Sequence, residues 1–394
     1  MPHAMDFELS YCANVFPVET ADDLLRVIRG ELAALRSELK LARLDAGLHI
    51  PAQAAAAIVN DPKIFDALET AIGESGLRVR TLNGFPYGSF HAERVKEAVY
   101  LPDWTRAERT SYTIDLARIL ARLMPNHASG SISTVAGGFK PELSSKESLR
   151  YMAINLARVA RELNHIYVEQ GRDIVLCLEP EPFTTLETTP ETITFFRDQL
   201  WNEGWKEVSA EHGEPREVAE SILRRHIGVC YDCCHQAVEY ENAETSLKAL
   251  KDAGIRVGKM QLSNALEMRN VSAVERLREY AEPRYLHQSV ARLRDGTLHR
   301  FLDLLDVLEA IQKGAPIRSA RTHFHVPLFY DEPGDFGSTQ KELLGAIRAA
   351  RALDITHHYE IETYTWPVLP GTRPIKDDMI ANLAREYRWA RENL

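Results

Sequence analysis

The amino-acid sequence predicts an α/β fold, a single (β/α)8 TIM barrel with a long insertion between its seventh and eighth strands. Three observations predict it. Eight short apolar runs end in polar residues, helix-period segments separate them, and 394 residues well exceed the about 250 that a plain barrel takes. Parallel strands need crossover helices covering both sheet faces, and eight such units close most economically on themselves.

The first run, 7–15, leads to a helical pattern over 21–42, where Leu24, Leu25, Ile28, Leu32, Leu35 and Leu39 form a one-sided stripe. Thr20 is its expected N-cap, ahead of Asp22 and Asp23. The second run, 47–50, precedes a helix over 64–72 that stops at Gly76. Runs three and four, 77–82 and 131–135, bracket a helix over 114–124. Helices over 151–168, 189–200 and 246–253 lead into runs five, six and seven at 174–178, 227–231 and 257–262. The eighth run, 357–361, lies between helices over 343–352 and 379–389. Roughly 140 residues remain beyond a plain barrel. Their largest block is 265–319, with a helix over 301–311 and two runs flanking Arg294-Asp295-Gly296, a tight-turn signal. No low-complexity linker interrupts the chain, so residues 1–394 read as one domain carrying the insertion 265–319.

With 45% apolar and 26% charged side chains the composition is that of a globular chain, and the net charge of −10 argues against a nucleic-acid partner. No stretch of about 18 apolar residues predicts a membrane span, and residues 1–8 lack a secretory leader, so a cytoplasmic location and a small-molecule partner are expected. Five scattered cysteines fit a reducing compartment. Cys230-x-x-Cys233-Cys234-His235 has no second cysteine pair at zinc-knuckle spacing, so packing is expected for Cys230 and pocket lining for Cys233 and Cys234.

Barrel enzymes build their sites at the carboxyl ends of the strands. There the sequence places Glu179-Pro180-Glu181-Pro182 after run five, Asp232-Cys233-Cys234-His235 after run six, Gln261 to Asn264 around the end of run seven, and Glu362 after run eight. His323-Phe324-His325 adds two histidines at strand spacing, hence on one face. Glu179, Asp232 and Glu362 brought together would repel without a cation and suit Mn²⁺, Mg²⁺ or, with histidine, Zn²⁺. Taken singly, each is an acid that a surface lysine or arginine could pair.

These motifs resemble the xylose-isomerase-like barrels, a superfamily of sugar isomerases, ketose 3-epimerases and endonuclease IV. Its members carry Glu-Pro after one strand, Asp-x-x-His after the next, a ligand that is usually histidine on the seventh, and a final strand ending in Glu. Here they read Leu178-Glu179-Pro180, Asp232-Cys233-Cys234-His235, Gln261 and Ile361-Glu362. The resemblance implies one divalent metal ion (Mn²⁺, Mg²⁺ or Zn²⁺) on Glu179, Asp232, Gln261 and Glu362. It also implies proton abstraction through a metal-stabilised enediolate, with Glu179 and Glu362 as the catalytic acid/base pair. His235, His323, His325, His49 and Asn83 are expected at the substrate. Gln261 departs from the usual histidine, so either Gln261 coordinates or His323 or His325 fills that place. The length, the insertion and the runs 323–327 and 362–366 resemble the EboE branch, associated with metabolite traffic, in which an accessory binding role is the alternative to catalysis.

An endonuclease IV-like phosphodiesterase would need further histidines after the second and third strands; His49 supplies one, but Asn83 is a poor zinc ligand. Gly137-Gly138-Phe139-Lys140 is either an anion loop or an ordinary tight turn. Tyr285, His287 and Gln288 either cover the barrel mouth or build the insertion's own core. Tyr364 and Trp366 either stack on a substrate or wedge the last loop against the final helix.

Overall fold

In the computed structural model, the strands follow one another as β1 (Glu8–Cys12), β2 (Leu44–His49), β3 (Leu77–Asn83), β4 (Ser129–Val135), β5 (Asp173–Glu179), β6 (Ile227–Asp232) and β7 (Val257–Leu262). An excursion then carries β8 (Leu266–Met268), β9 (Ser289–Leu293), β10 (Leu298–Phe301), β11 (Ile317–Thr322) and β12 (Phe336–Ser338), and the chain returns as β13 (His358–Ile361). β1 to β7 and β13 form a closed parallel barrel, with β13 between β7 and β1. The structure describes residues 7–394 except 89, 92–94, 127, 211–212 and 371–375; residues 1–6, most of the segment read for a leader, lie outside them.

Strand alternation sorts the side chains into two layers. Ile174, Leu176 and Leu178 of β5 belong to the main core, whereas Val175, Cys177 and Cys230 form a separate small cluster. The barrel interior also holds an ion pair with no exposed surface, Lys259 Nζ to Glu360 Oε2 at 2.5 Å, with Lys259 also donating to Thr81 Oγ1 at 3.1 Å. Gly47 on β2 makes room for it: a Cβ there would lie 1.6 Å from Glu360 Oε1.

The excursion is an antiparallel sheet of order β10-β9-β11-β8-β12 with its own core, in which Leu304, Val307 and Leu308 of the helix Leu304–Gln312 pack with Met268, Ala320 and Phe336. β9 and β10 pair around the Asp295-Gly296 turn, where Gly296 has φ 91°. The sheet runs on to Ser338, past the 265–319 block, because β11 pairs with β9 and β8, and β12 with β8.

A strand start and a helix differ from the sequence expectation for identifiable reasons. β2 begins at Leu44 because Asp45, a charge inside the strand, is neutralised by Arg78 at 2.5 Å. The helix Ala52–Asn60 reads AQAAAAIVN and lacks a polar face that would expose its period. Thr20 does cap its helix, in a capping box with Asp23. Among the described residues no helix is long and apolar enough to cross a membrane.

Candidate functional site

Glu179 ends β5, Asp232 ends β6 and Glu362 follows β13; one carboxylate oxygen from each lies within 4.8 Å of the others, all buried. Each acid is held by neighbours. Asn14 Nδ2 and Asn83 Nδ2 donate to Glu362 Oε1 at 2.7 and 2.9 Å, and Ser263 Oγ donates to Asp232 Oδ1 at 2.8 Å. Asp232 is also the N-cap of the helix Cys233–Val238, accepting from the His235 backbone N–H at 2.9 Å. The Asp-x-x-His spacing is therefore a helix cap that carries His235 to the same side as its cap.

Several buried polar atoms at this place have no hydrogen-bond partner among the described residues: Glu179 Oε2, Asp232 Oδ2, and both Oε1 and Nε2 of Gln261. Gln261 is the residue of β7 in register with Asp232 and with Glu360. Buried carboxylates and an amide carbonyl left bare together fit a hard divalent cation, which would satisfy them at once. Burial first, and the neighbouring Asp232 second, hold the Glu179 carboxyl well above the usual carboxylate range; burial and then Glu179 do the same to Glu362.

Beside the acids stands a nest of imidazoles. His235 Nε2 and His323 Nε2 are 3.1 Å apart, and His323 Nε2 and His325 Nε2 are 3.2 Å apart. His323 and His325 lie just past the end of β11, and the alternation persists there: both meet His235 while Phe324 packs into the second core. Their other ring nitrogens are fixed, His325 Nδ1 by Glu362 O at 2.8 Å and His323 Nδ1 by Gln288 Oε1 at 2.8 Å. Burial lowers all three histidines, His235 to about 4, so they are neutral and able to ligate or to donate one hydrogen bond. Asp232 belongs to both groups, since its carboxylate, His235 and His325 also offer ligand atoms within 4.8 Å of one another.

Of the other expected substrate residues, Asn83 lines the pocket above the acids but His49 does not: its Nε2 faces Pro86 O at 3.3 Å under the 84–88 loop. Cys233 packs in the main core instead of lining the pocket, and Cys234 lies beside His323 and His325. Gly137, at φ 102° and packed on Thr185, belongs to a tight loop, and Lys140 is taken up by Glu187 and Glu191. Tyr285 and Gln288 reach the pocket from the insertion, whereas His287 is buried behind them against Glu282 and His323 O. Tyr364 lines the pocket, and Trp366 packs on Phe329 and Glu386, wedging the loop on the final helix.

The sequence reading missed Asn14, Glu181, Tyr100 and Ser263. Glu181, in the Glu-Pro-Glu-Pro turn, and Ser263, just past β7, carried the same strand-end signal as the acids, whereas Asn14 lay inside the apolar run 7–15, which ends as a strand at Cys12. Tyr100 carried none. Glu181 accepts from Tyr100 OH at 2.8 Å and Gln288 Nε2 at 2.7 Å, and burial pushes it up to about 8 against those two bonds.

A carboxyl raised on folding is more stable protonated, so it favours the folded metal-free protein at low pH, and that contribution is lost as pH rises through the raised value. A cation must displace those protons. Titrating Mn²⁺ into the metal-free protein at pH 6, in two buffers of different ionisation heat, is expected to release about one proton or more per ion. Release of none would show Glu179 and Glu362 already ionised.

No family model and no curated protein matches the sequence. Among solved structures, a xylose isomerase-like TIM barrel protein from Mycobacterium smegmatis in complex with magnesium aligns over 100% of this chain and 98% of its own, with TM-score 0.53 and 12% identity. The fold is that of the xylose isomerase-like TIM barrels. Two others align more loosely. The IOLI protein with a bound zinc atom covers 98% of this chain and 96% of its own at TM-score 0.46 and 11% identity. A family 2 AP endonuclease from Brucella melitensis covers 65% and 78% at TM-score 0.39 and 12% identity.

Proposed function

We propose that the protein is a divalent-metal-dependent isomerase or epimerase that moves a proton on a carbon next to a carbonyl in a small hydroxy-carbonyl metabolite. The observation that carries this is the buried convergence of Glu179, Asp232 and Glu362, with Glu179 Oε2 and Asp232 Oδ2 left without partners among the described residues beside the bare Gln261 amide. Glu179, Asp232, Gln261 and Glu362 would hold the cation, which would supply a Lewis acid for the substrate's oxygens. Glu179 and Glu362, at the ends of strands separated by β6 and β7 in the barrel order, remove and return the carbon-bound proton, and their raised affinity for protons suits that exchange. Asn14 and Asn83 hold Glu362 in one orientation. His235, neutral, donates to or accepts from a substrate oxygen without changing charge.

One observation favours a second reading. Three neutral imidazoles whose Nε2 atoms are 3.1 and 3.2 Å apart form a ligand set for a second, softer cation, which supports metal-assisted hydrolysis. The test measures metal per chain by elemental analysis and deuterium uptake at the carbon next to a ketol carbonyl in heavy water. One ion per chain, with exchange lost to a chelator and restored by Mn²⁺, is the expected result. A chain with no bound metal would sink the isomerase reading, and two ions with hydrolysis but no exchange would favour the second.

A further inference from the structure

Away from the acids, a groove of about 730 Å³ lies between the helices Ala243–Asp252 and Gln340–Leu353, bordered by Arg292 of β9 and Arg321 of β11. The cavity over the acids has about 60 Å³, whereas small-molecule sites take about 300–1,000 Å³. The groove has room because the helix Gln340–Leu353 turns small residues to it, Gly345, Ala349 and Ala352. A Cβ at Gly345 would meet only Arg348 Nη2, at 3.9 Å, so the place beside it is open.

The chain as a whole is acidic, with a net charge of −10, yet this groove is basic. Arg321 is committed, to Glu267 at 2.8 Å, Glu342 at 2.6 Å and Ala237 O at 2.9 Å, and Lys248 pairs with Asp252 at 2.5 Å. Arg292, Lys341 and Arg348, all exposed, have no ion pair among the described residues. The acids are spent the other way. Glu241 accepts from the Thr189 backbone N–H and from Ser246 Oγ at 2.9 Å each, and Glu342 holds Arg321, which leaves Glu244 against three free cations. The Arg292 guanidinium lies 4.4 Å from the centroid of the Tyr240 ring, a stacking contact that steadies it without using its N–H groups. Lys341 and Arg348 are seven residues apart, so they share one face of their helix, about 10 Å apart along its axis. A single phosphate would draw these two side chains together against their repulsion, whereas a chain of phosphates meets each where it stands.

We propose that this groove is a second ligand site, separate from the acids, for a small molecule carrying a chain of phosphates, of the nucleoside triphosphate class. Its phosphates lie on Arg292, Lys341 and Arg348, and its neutral body on Gly345, Ala349 and Ala352. The proposal does not depend on the isomerase reading.

Equilibrium dialysis of the full chain at physiological salt, with ATP, inorganic phosphate and hexaglutamate as probes, tests it. One ATP per chain is expected, held at least about tenfold tighter than phosphate and equally tightly before and after treatment with a chelator. Arg292→Gln and Arg348→Gln are each expected to weaken ATP by about fivefold or more. Gly345→Leu fills the groove without removing a charge and replaces a mid-helix glycine by a better helix former, so it should fold and lose ATP altogether. ATP held no tighter than phosphate, or equally well by Gly345→Leu, overturns the proposal and leaves only a loose ion atmosphere. Binding that disappears with the chelator places the phosphates on a metal and overturns it too. Hexaglutamate held tighter than ATP also overturns it, in favour of an acidic protein segment.

Discussion

Replacing Glu179 or Glu362 by glutamine is expected to lower ketol proton exchange by about 10²–10⁴-fold, the range over which a positioned acid or base contributes. The two substitutions keep shape and burial and remove one charge from a nest where the acids raise one another. The metal-free variants should therefore melt higher than metal-free wild type, because one buried carboxylate fewer has to be accommodated, while the gain in melting temperature on adding Mn²⁺ shrinks. That opposite movement separates a ligand from a residue that merely packs. A variant that loses exchange and melts lower with and without metal would instead assign the side chain to the scaffold. Melting curves at fixed pH, with chelator and with Mn²⁺, make the comparison.

Lys259→Met is expected to destabilise the protein by about 3–5 kcal/mol, the cost of breaking a buried ion pair from one side. Lys259 and Glu360 have no exposed surface, and Glu360 Oε1 already lacks a partner among the described residues, so the remaining carboxylate would have nothing to offset it. The double change Lys259→Met with Glu360→Gln should recover much of the loss, since the penalty belongs to the orphaned charge. Gly47→Ala tests the same pair by volume, because its Cβ would occupy the place of Glu360 Oε1. Lys259 also draws Glu179 and Glu362 toward their charged forms, so its loss should weaken Mn²⁺ binding as well. Urea denaturation of the single and double variants gives the coupling, and a loss below about 1 kcal/mol for Lys259→Met would mean that Glu360 simply takes up a proton.

Much of the site was legible because barrels put their chemistry at strand ends, and a strand end is a local feature: an apolar run stopping at Glu179, Asp232 or Glu362 announces itself. Asp-x-x-His was legible for the same reason, since a helix cap spans only four residues. Other features were not local. Lys259 and Glu360 sit one step inside the strands that were read, where a charge in an apolar run argues neither for nor against the strand until its partner is seen. Gln288, His323 and Tyr100 meet across the insertion and the barrel, over separations that no periodicity encodes.

By itself, then, the sequence determined the order of eight strand-helix units, and with it a parallel barrel, because side-chain period and turn chemistry are set by neighbours along the chain. It also named the three acids. Only the tertiary structure decided that the imidazoles of His235, His323 and His325 converge beside those acids, that His49 does not join them, and that Phe90, Tyr285 and Tyr364 pack against one another above. Those contacts join segments whose proximity is set by barrel closure and by the docking of the inserted sheet, where burial and packing, rather than local propensity, select the geometry.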